Sequence, residues 1–253
     1  MLQIEPLAAE QAYLTCPGNH ENANDFYEYR MRIGAAMPAV ASPSGGGNGT
    51  FSSFNLGLIH FILVSSEVYM SVQPHSAGLA LEQGEWLQRD LAAVNRSVTP
   101  FVALGLHQPF YCSANDDGDD CHHLVSVVRI GLEKLIYEGG VDVVFGAHEH
   151  AYERNYPVYN SQWNGATGAA AYVDPAATVH ILTGAAGCPE DQDGWQKAGN
   201  PWSAVRINDY GYSRVHALNR THLLLQYVDN IKGAVLDEVI IVKNQDGPGF
   251  PRA

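Results

Sequence analysis

The chain has 253 residues and a formal net charge of −13, with 46% hydrophobic and 16% charged residues. That length buries one sizeable core, and the composition argues against disorder. The acidic balance argues against nucleic acid and anionic membrane surfaces as partners, and no run of eighteen apolar residues offers a membrane span. An anionic ligand would be repelled too, unless bound cations reversed the local field.

Leu2 to Ala9 reads as the end of a helix, and Ala12 to Cys16 as a short strand running into Pro17-Gly18-Asn19-His20-Glu21. Asn24 to Met31 is predicted to be helical, and Pro38 to Gly49, rich in Gly, Ser and Pro, to be a surface loop. Two apolar strands follow, Phe51 to Leu56 and Leu58 to Val64. Between Leu81 and Asn95, Leu87, Leu91 and Val94 fall at i, i+4 and i+7 with Trp86 beside them, the stripe of an amphipathic helix. Phe101 to Leu106 reads as a buried strand ending at His107. A helix over about Leu124 to Glu138 places Val128, Leu132, Leu135 and Ile136 on one face and stops at Gly139-Gly140. Val141 to Phe145 forms another buried strand, which runs out into Gly146-Ala147-His148-Glu149-His150. Beyond residue 176 the pattern is mostly β: Thr178 to Thr183, Tyr212 to Leu218, Leu223 to Val228 and Val235 to Val242.

Strands alternating with helices specify a layered α/β domain, whose ligands gather on loops at the carboxyl ends of strands. Asn19, His107, His148 and His150 occupy such loops. Neutral imidazole nitrogens and a carboxamide oxygen suit borderline divalent metals. Each motif taken singly is also compatible with a structural turn; their order and context point to a metal site. His60, His75, His180, His216 and His222 lie outside these loops and read as structural. No Gly-x-Gly-x-x-Gly, Walker-type or Gly-x-Ser-x-Gly run occurs.

The cysteines Cys16, Cys112, Cys121 and Cys188 match no zinc ribbon or redox pair. Cys112 and Cys121 flank the acidic stretch from Ser113 to Asp120, either as a disulfide closing it or as two thiols. The carboxylates of Asp116, Asp117, Asp119 and Asp120 read as a solvated loop, with a replacement metal ligand as the alternative. Sequons at Asn48-Gly-Thr50, Asn95-Arg-Ser97 and Asn219-Arg-Thr221 point to an oxidising export route, although Met1-Leu-Gln-Ile-Glu-Pro6 shows no leader pattern.

A more specific reading comes from Thr15-Cys-Pro-Gly-Asn-His-Glu21, Glu85-Trp-Leu-Gln-Arg-Asp-Leu91, His107-Gln-Pro-Phe-Tyr-Cys-Ser113, Ala147-His-Glu-His-Ala-Tyr-Glu-Arg154, Gly184-Ala-Ala-Gly-Cys188, Trp202-Ser-Ala-Val-Arg206 and Asp209-Tyr-Gly-Tyr212. In this order, over essentially the whole chain, these runs resemble the purple acid phosphatases of the calcineurin-like metallophosphoesterase superfamily. The resemblance implies an α/β/β/α sandwich and a dinuclear centre, Fe(III) with Zn, Mn or a second Fe, that clamps phosphate and generates a hydroxide nucleophile. It also implies hydrolysis of phosphate monoesters in acid by a secreted or lysosomal/vacuolar enzyme.

By motif position Asn19, His107 and His148 match ligands of the divalent ion, and His150 a ligand of the ferric one. His20 matches the histidine that contacts phosphate or protonates the leaving alkoxide. His122 and His123 are candidate donors to substrate, or else a solvated loop pair, and Glu149 is a supporting neighbour. The family pattern also needs an Asp ligand, a bridging Asp and a Tyr ahead of the Asn-His motif, where this sequence offers Glu5, Glu10 and Tyr13 but no aspartate. The expectation is therefore a partial catalytic domain over residues 1–246 with a tail at 247–253, missing the family's first strands and fibronectin-like domain. Weak metal binding, little activity and exposed sheet edges would follow. The rival readings are an inactive fold-retaining binding or scaffold protein, and a phosphodiesterase of the same superfamily.

Overall fold

The computed structural model describes residues 5–34, 49–70, 74–115, 121, 127–188, 190–197 and 199–244. Its α-helical pieces are α1 (Glu5–Ala8), α2 (Tyr27–Tyr29), α3 (Glu67–Met70), α4 (Pro74–Ala93) and α5 (Val127–Glu138). The strands are β1 (Ser52–Leu56), β2 (Ile59–Leu63), β3 (Phe101–Gly105), β4 (Ala114–Asn115), β5 (Val143–Gly146), β6 (Tyr152–Asn155), β7 (Val158–Tyr159) and β8 (Gln162–Trp163). They continue with β9 (Val179–Thr183), β10 (Gly194–Trp195), β11 (Ser203–Ile207), β12 (Gly211–Ala217), β13 (His222–Asp229) and β14 (Val235–Val242).

A large sheet has the order β1-β2-β3-β5-β9-β6-β11. Within it β2, β3, β5 and β9 run parallel, while β1, β6 and β11 pair antiparallel. Helix α4 carries the chain from β2 to β3 and α5 from β3 to β5, as parallel neighbours require. The two-residue period of β3 divides the core. Val102 and Leu104 join Trp86, Leu87, Leu132 and Ile136 on the helix side. Phe101 and Ala103 face the other way, into a cluster with Leu223, Leu225, Tyr227 and Ile241 of the antiparallel sheet β12-β13-β14. Helices, large sheet and small sheet give three layers of the sandwich among the described residues.

The polar strand β6 joins the two sheets. All four of its residues are buried. Arg154 donates from Nε to Asp237 Oδ2 at 2.6 Å and from NH2 to Oδ1 at 2.9 Å, and Tyr152 Oη donates to the same carboxylate at 2.8 Å. Ser113 N donates to Glu153 at 2.6 Å. Such a strand satisfies its polar groups with specific partners and leaves no hydrophobic alternation to read.

At the amino-terminal end of β3, Asp142 is fully buried and takes Lys243 Nζ at 2.9 Å, Arg96 NH1 at 3.3 Å and Val102 N at 2.8 Å. Lys243 Nζ also donates to Pro100 O at 2.7 Å. This cluster fastens the end of the small sheet to the base of the large one.

Several sequence expectations need correction. Ala12 to Cys16 is irregular chain, because no strand among the described residues lies beside it to form a ladder. The helix over Asn24 to Met31 shrinks to α2 and a π turn at Arg30–Gly34. Positive φ values at Asn24, Asp25 and Phe26 (49°, 58° and 59°) make a left-handed entry that buries Phe26 against Tyr29, Val68 and Leu79. Helix α4 begins seven residues before Leu81, at Pro74, whose fixed φ suits a first turn. Most of the Pro38 to Gly49 loop, Asn48 itself and the side chain of His75 lie outside the described residues.

Candidate functional site

Leu106 N continues the sheet by donating to Phe145 O at 3.0 Å, and Ala147 N donates to His107 O at 2.8 Å. These bonds zip together the two loops that leave β3 and β5. Glu149 N then donates to Ala147 O at 2.8 Å around His148, whose φ is +64°. This is a γ-turn with a side-chain-bearing residue at its strained centre, a conformation costing ~1–3 kcal/mol. It brings the His148 ring edge-on to His107, with centroids 4.9 Å apart, planes at 74°, and Nδ1 at 3.0 Å from His107 Nε2.

The third contributor arrives on the 3-10 turn Asn19–Glu21. Glu21 N donates to Gly18 O at 3.1 Å, and Gly18 N donates to Glu21 Oε2 at 2.9 Å. Only glycine fits at Gly18, since a Cβ there would lie 2.9 Å from the His107 ring. The turn sets Asn19 Oδ1 at 2.9 Å from His107 Nε2.

A single Nε2 atom cannot both donate to the carboxamide oxygen and accept from the second imidazole. One cation shared by three lone pairs removes that conflict. Donor atoms bound to one ion at ~2.1 Å stand about 3.0 Å apart in octahedral and about 3.4 Å apart in tetrahedral geometry. The observed 2.9 and 3.0 Å fit such an edge length. Burial first, then the neighbouring His148, His20 and His150, pushes His107 down to about 4. It is therefore neutral at neutral pH, as a metal ligand must be.

His150 is half-buried, and its backbone N–H donates to the Asp193 carboxylate, while Asp193 N donates back to His150 O at 3.4 Å. Asn208 Nδ2 holds Asp193 O at 2.8 Å. Asp193 had no signal in the sequence, because it acts through a backbone amide rather than a ligand motif. Gly184, at the end of β9, packs under the same turn, where a Cβ would fall 2.0 Å from Glu149 O. His20 is exposed. His122 and His123 lie outside the described residues, as do Asp116, Asp117, Asp119 and Asp120.

Cys112 and Cys121 form a disulfide, which packs with Ala151, Leu182 and Trp195. Glu149 brings a carboxylate oxygen within 4.8 Å of both sulfurs, but sulfurs bonded to each other are no thiolate ligands. Cys16 and Cys188 are thiols, and burial pushes Cys16 up to about 12. His60 is held by Asp90 at 2.8 Å and Asn55 at 2.6 Å, and His180 is buried against Phe110 and Tyr111, both in structural roles.

The family model for calcineurin-like phosphoesterases matches residues 1–152, and that for iron/zinc purple acid phosphatase-like protein C matches residues 177–238. The chain belongs to the calcineurin-like phosphoesterases, among the purple acid phosphatases. Acid phosphatase type 7 of Danio rerio is 43% identical over 98% of this chain and 57% of its own length. Purple acid phosphatase 18 of Arabidopsis thaliana is 30% identical over 87% of this chain and 46% of its own length. The chain thus spans about half the length of the curated relatives it matches. A purple acid phosphatase from yellow lupin seeds shares the fold, with a TM-score of 0.71 at 22% identity over 92% of this chain and 38% of that one. Purple acid phosphatases carry a dinuclear metal centre, typically iron plus a second metal. The residues assembled here fit its neutral donors.

Proposed function

We propose that residues 1–246, with 247–253 as a tail, belong to the catalytic domain of an exported or lysosomal acid phosphatase that hydrolyses phosphate monoesters. The observation that carries this reading is the convergence of Asn19 Oδ1, His107 Nε2 and His148 Nδ1 within 3.0 Å of their neighbours on three loops. These three residues would hold the divalent ion, a Zn, Mn or Fe(II) class metal, and His150 would contribute to the ferric one. When bound, the metal pair supplies Lewis acidity toward the phosphoryl group and a water-derived nucleophile.

The chain's own residues supply the rest. Neutral His107 keeps its lone pair available, and Gly18 lets the Asn19 turn close on it. His20, exposed beside the Asn19 turn, donates a proton to the ester oxygen as the P–O bond breaks, so that a neutral alcohol departs. His122 and His123 are assigned to substrate phosphate from their sequence position. The disulfide and the sequons support an export route.

The assigned ligands are one carboxamide and three imidazoles, all neutral, whereas a hard ferric ion prefers anionic oxygen. Residues 1–253 alone should therefore bind metal weakly, lack the tyrosinate colour and turn over little substrate. Turnover of p-nitrophenyl phosphate with added Fe and Zn tests the activity, with bis-p-nitrophenyl phosphate as comparator. Preference for the diester would discard the monoesterase assignment. Two tightly held metals per chain together with a visible tyrosinate band would refute the incomplete ligand set.

A further inference from the structure

We infer that the Cys112–Cys121 disulfide, acting through the buried side chain of Glu149, holds the turn that carries His148 and His150 in the conformation that presents their rings to metal. This rests on the metal-site reading above and adds to it the element that positions two of the ligands.

Glu149 stands between two assigned ligands and points its own side chain at sulfur. The His148 ring meets His107, whereas Glu149 is 1% exposed and brings a carboxylate oxygen within 4.8 Å of both disulfide sulfurs. Buried Ala151 and Leu182 pack against the same bridge. The backbone of the turn has no slack either: a Cβ on Gly184 would fall 2.0 Å from Glu149 O, and Gly184 N donates to Ala151 O at 3.2 Å. The segment from His148 to Ala151 is thus enclosed between the end of β9 and a wall of sulfur. Surroundings packed this closely transmit a displacement instead of absorbing it.

The bridge ties that wall to both imidazole-bearing loops. Cys112 follows His107 on the loop leaving β3, and the sulfurs touch the loop leaving β5. Cys112 is anchored even without the bridge, since Asn200 Nδ2 donates to its carbonyl at 2.8 Å and Ser113 N donates to Glu153 at 2.6 Å. A bridge across a sequence separation of 9 also constrains the unfolded chain less than one that closes a long loop. Its consequence is therefore local. Opening it lets two sulfurs part from a bond of about 2 Å to nonbonded contact at roughly 3.5–4 Å, against the side chain of Glu149. Alanine at both positions instead empties the same wall. Either change removes the fixed surface on which the turn rests.

The test follows amide hydrogen exchange and zinc affinity in the full chain carrying Cys112→Ala with Cys121→Ala, Glu149→Ala, or all three. Without metal, the N–H groups of Glu149, His150 and Gly184 donate to Ala147 O, the Asp193 carboxylate and Ala151 O. They should lose protection in every variant, while those of Leu104 and Val144 in the parallel ladder keep theirs. Zinc affinity by titration calorimetry should fall about 10- to 100-fold in the disulfide-free variant and in Glu149→Ala alike. The triple variant should lose no more than either, because the bridge acts through Glu149. Additive losses, or unchanged exchange at the turn without the bridge, overturn the inference. A bridge that only stabilises would lower the urea midpoint and leave the zinc affinity of the folded chain as it was, which overturns it as well. Should the disulfide-free variant fail to fold, Glu149→Ala, which keeps the bridge, decides alone: turn protection and zinc affinity at the unsubstituted level overturn the inference. If the turn loosens as expected but the unsubstituted chain takes up no zinc, the hold on the turn stands and the metal-site reading fails instead.

Discussion

The two ends of β3 solve the problem of buried polar groups in opposite ways. At its start, Asp142, Arg96 and Lys243 close upon one another, so that cations and backbone donors surround a fully buried carboxylate. At its finish, Asn19, His107 and His148 bring a carboxamide oxygen and two imidazole nitrogens to a common point, and His107 Nε2 can serve both neighbours only by sharing one N–H between them. The first cluster is complete within the chain and serves stability. The second leaves one donor divided between two acceptors, a conflict that an added cation would relieve. Polar side chains gathered at a strand end thus indicate a ligand site when their hydrogen bonding is frustrated, and a structural lock when it is saturated.

Breaking the lock should have the largest effect. Asp142→Ala leaves Lys243 buried without its closest carboxylate, and should destabilise the fold by ~3–5 kcal/mol in urea unfolding. A loss under 1 kcal/mol would deny the lock its stabilising role. At the other pole, His107→Ala should weaken zinc binding at least tenfold, ~1.4 kcal/mol by titration calorimetry. Its unfolding free energy should move by less than that. If stability fell as it does for Asp142→Ala, the contrast between the poles would vanish.

Acid sharpens the comparison. Burial, the leading cause, pushes His180 down from 6.5 to about 3 and His107 to about 4. The unfolded chain takes up protons below about 6.5 that the native state refuses. Stability should therefore fall as pH drops from about 6.5 toward 3. His180→Phe should flatten this slope by up to ~1.4 kcal/mol per pH unit. An unchanged slope would show that His180 is not kept neutral. The smallest effect belongs to the turn itself. His148→Gly relieves a positive φ and should leave stability unchanged or raise it by about 1 kcal/mol, while zinc binding falls. A clear loss of stability would mean that the turn is not strained.

Apolar strands such as Phe101 to Gly105, a continuous run buried on both faces, and Val235 to Val242 were legible in the sequence, since short apolar runs between turn signals read as strands. Tyr152 to Asn155 was not, because its buried groups are polar and their partners lie far away in sequence, Arg154 with Asp237 above all. The strand expected at Ala12 to Cys16 shows the converse: local propensity makes no strand without a neighbour. At the site, Asn19, His107 and His148 could be read from their loops and motifs. Their contact distances, the γ-turn and the Asp193 brace could not, since these depend on backbone geometry that residue identity does not encode.

Asn19 and His107 are 88 positions apart, and His107 and His148 a further 41. No ribosome-bound fragment ending before His148 can assemble the three donors, and loops of this span close late in folding. Were these three side chains to share an ion, its full coordination would have to wait until the three loops have met.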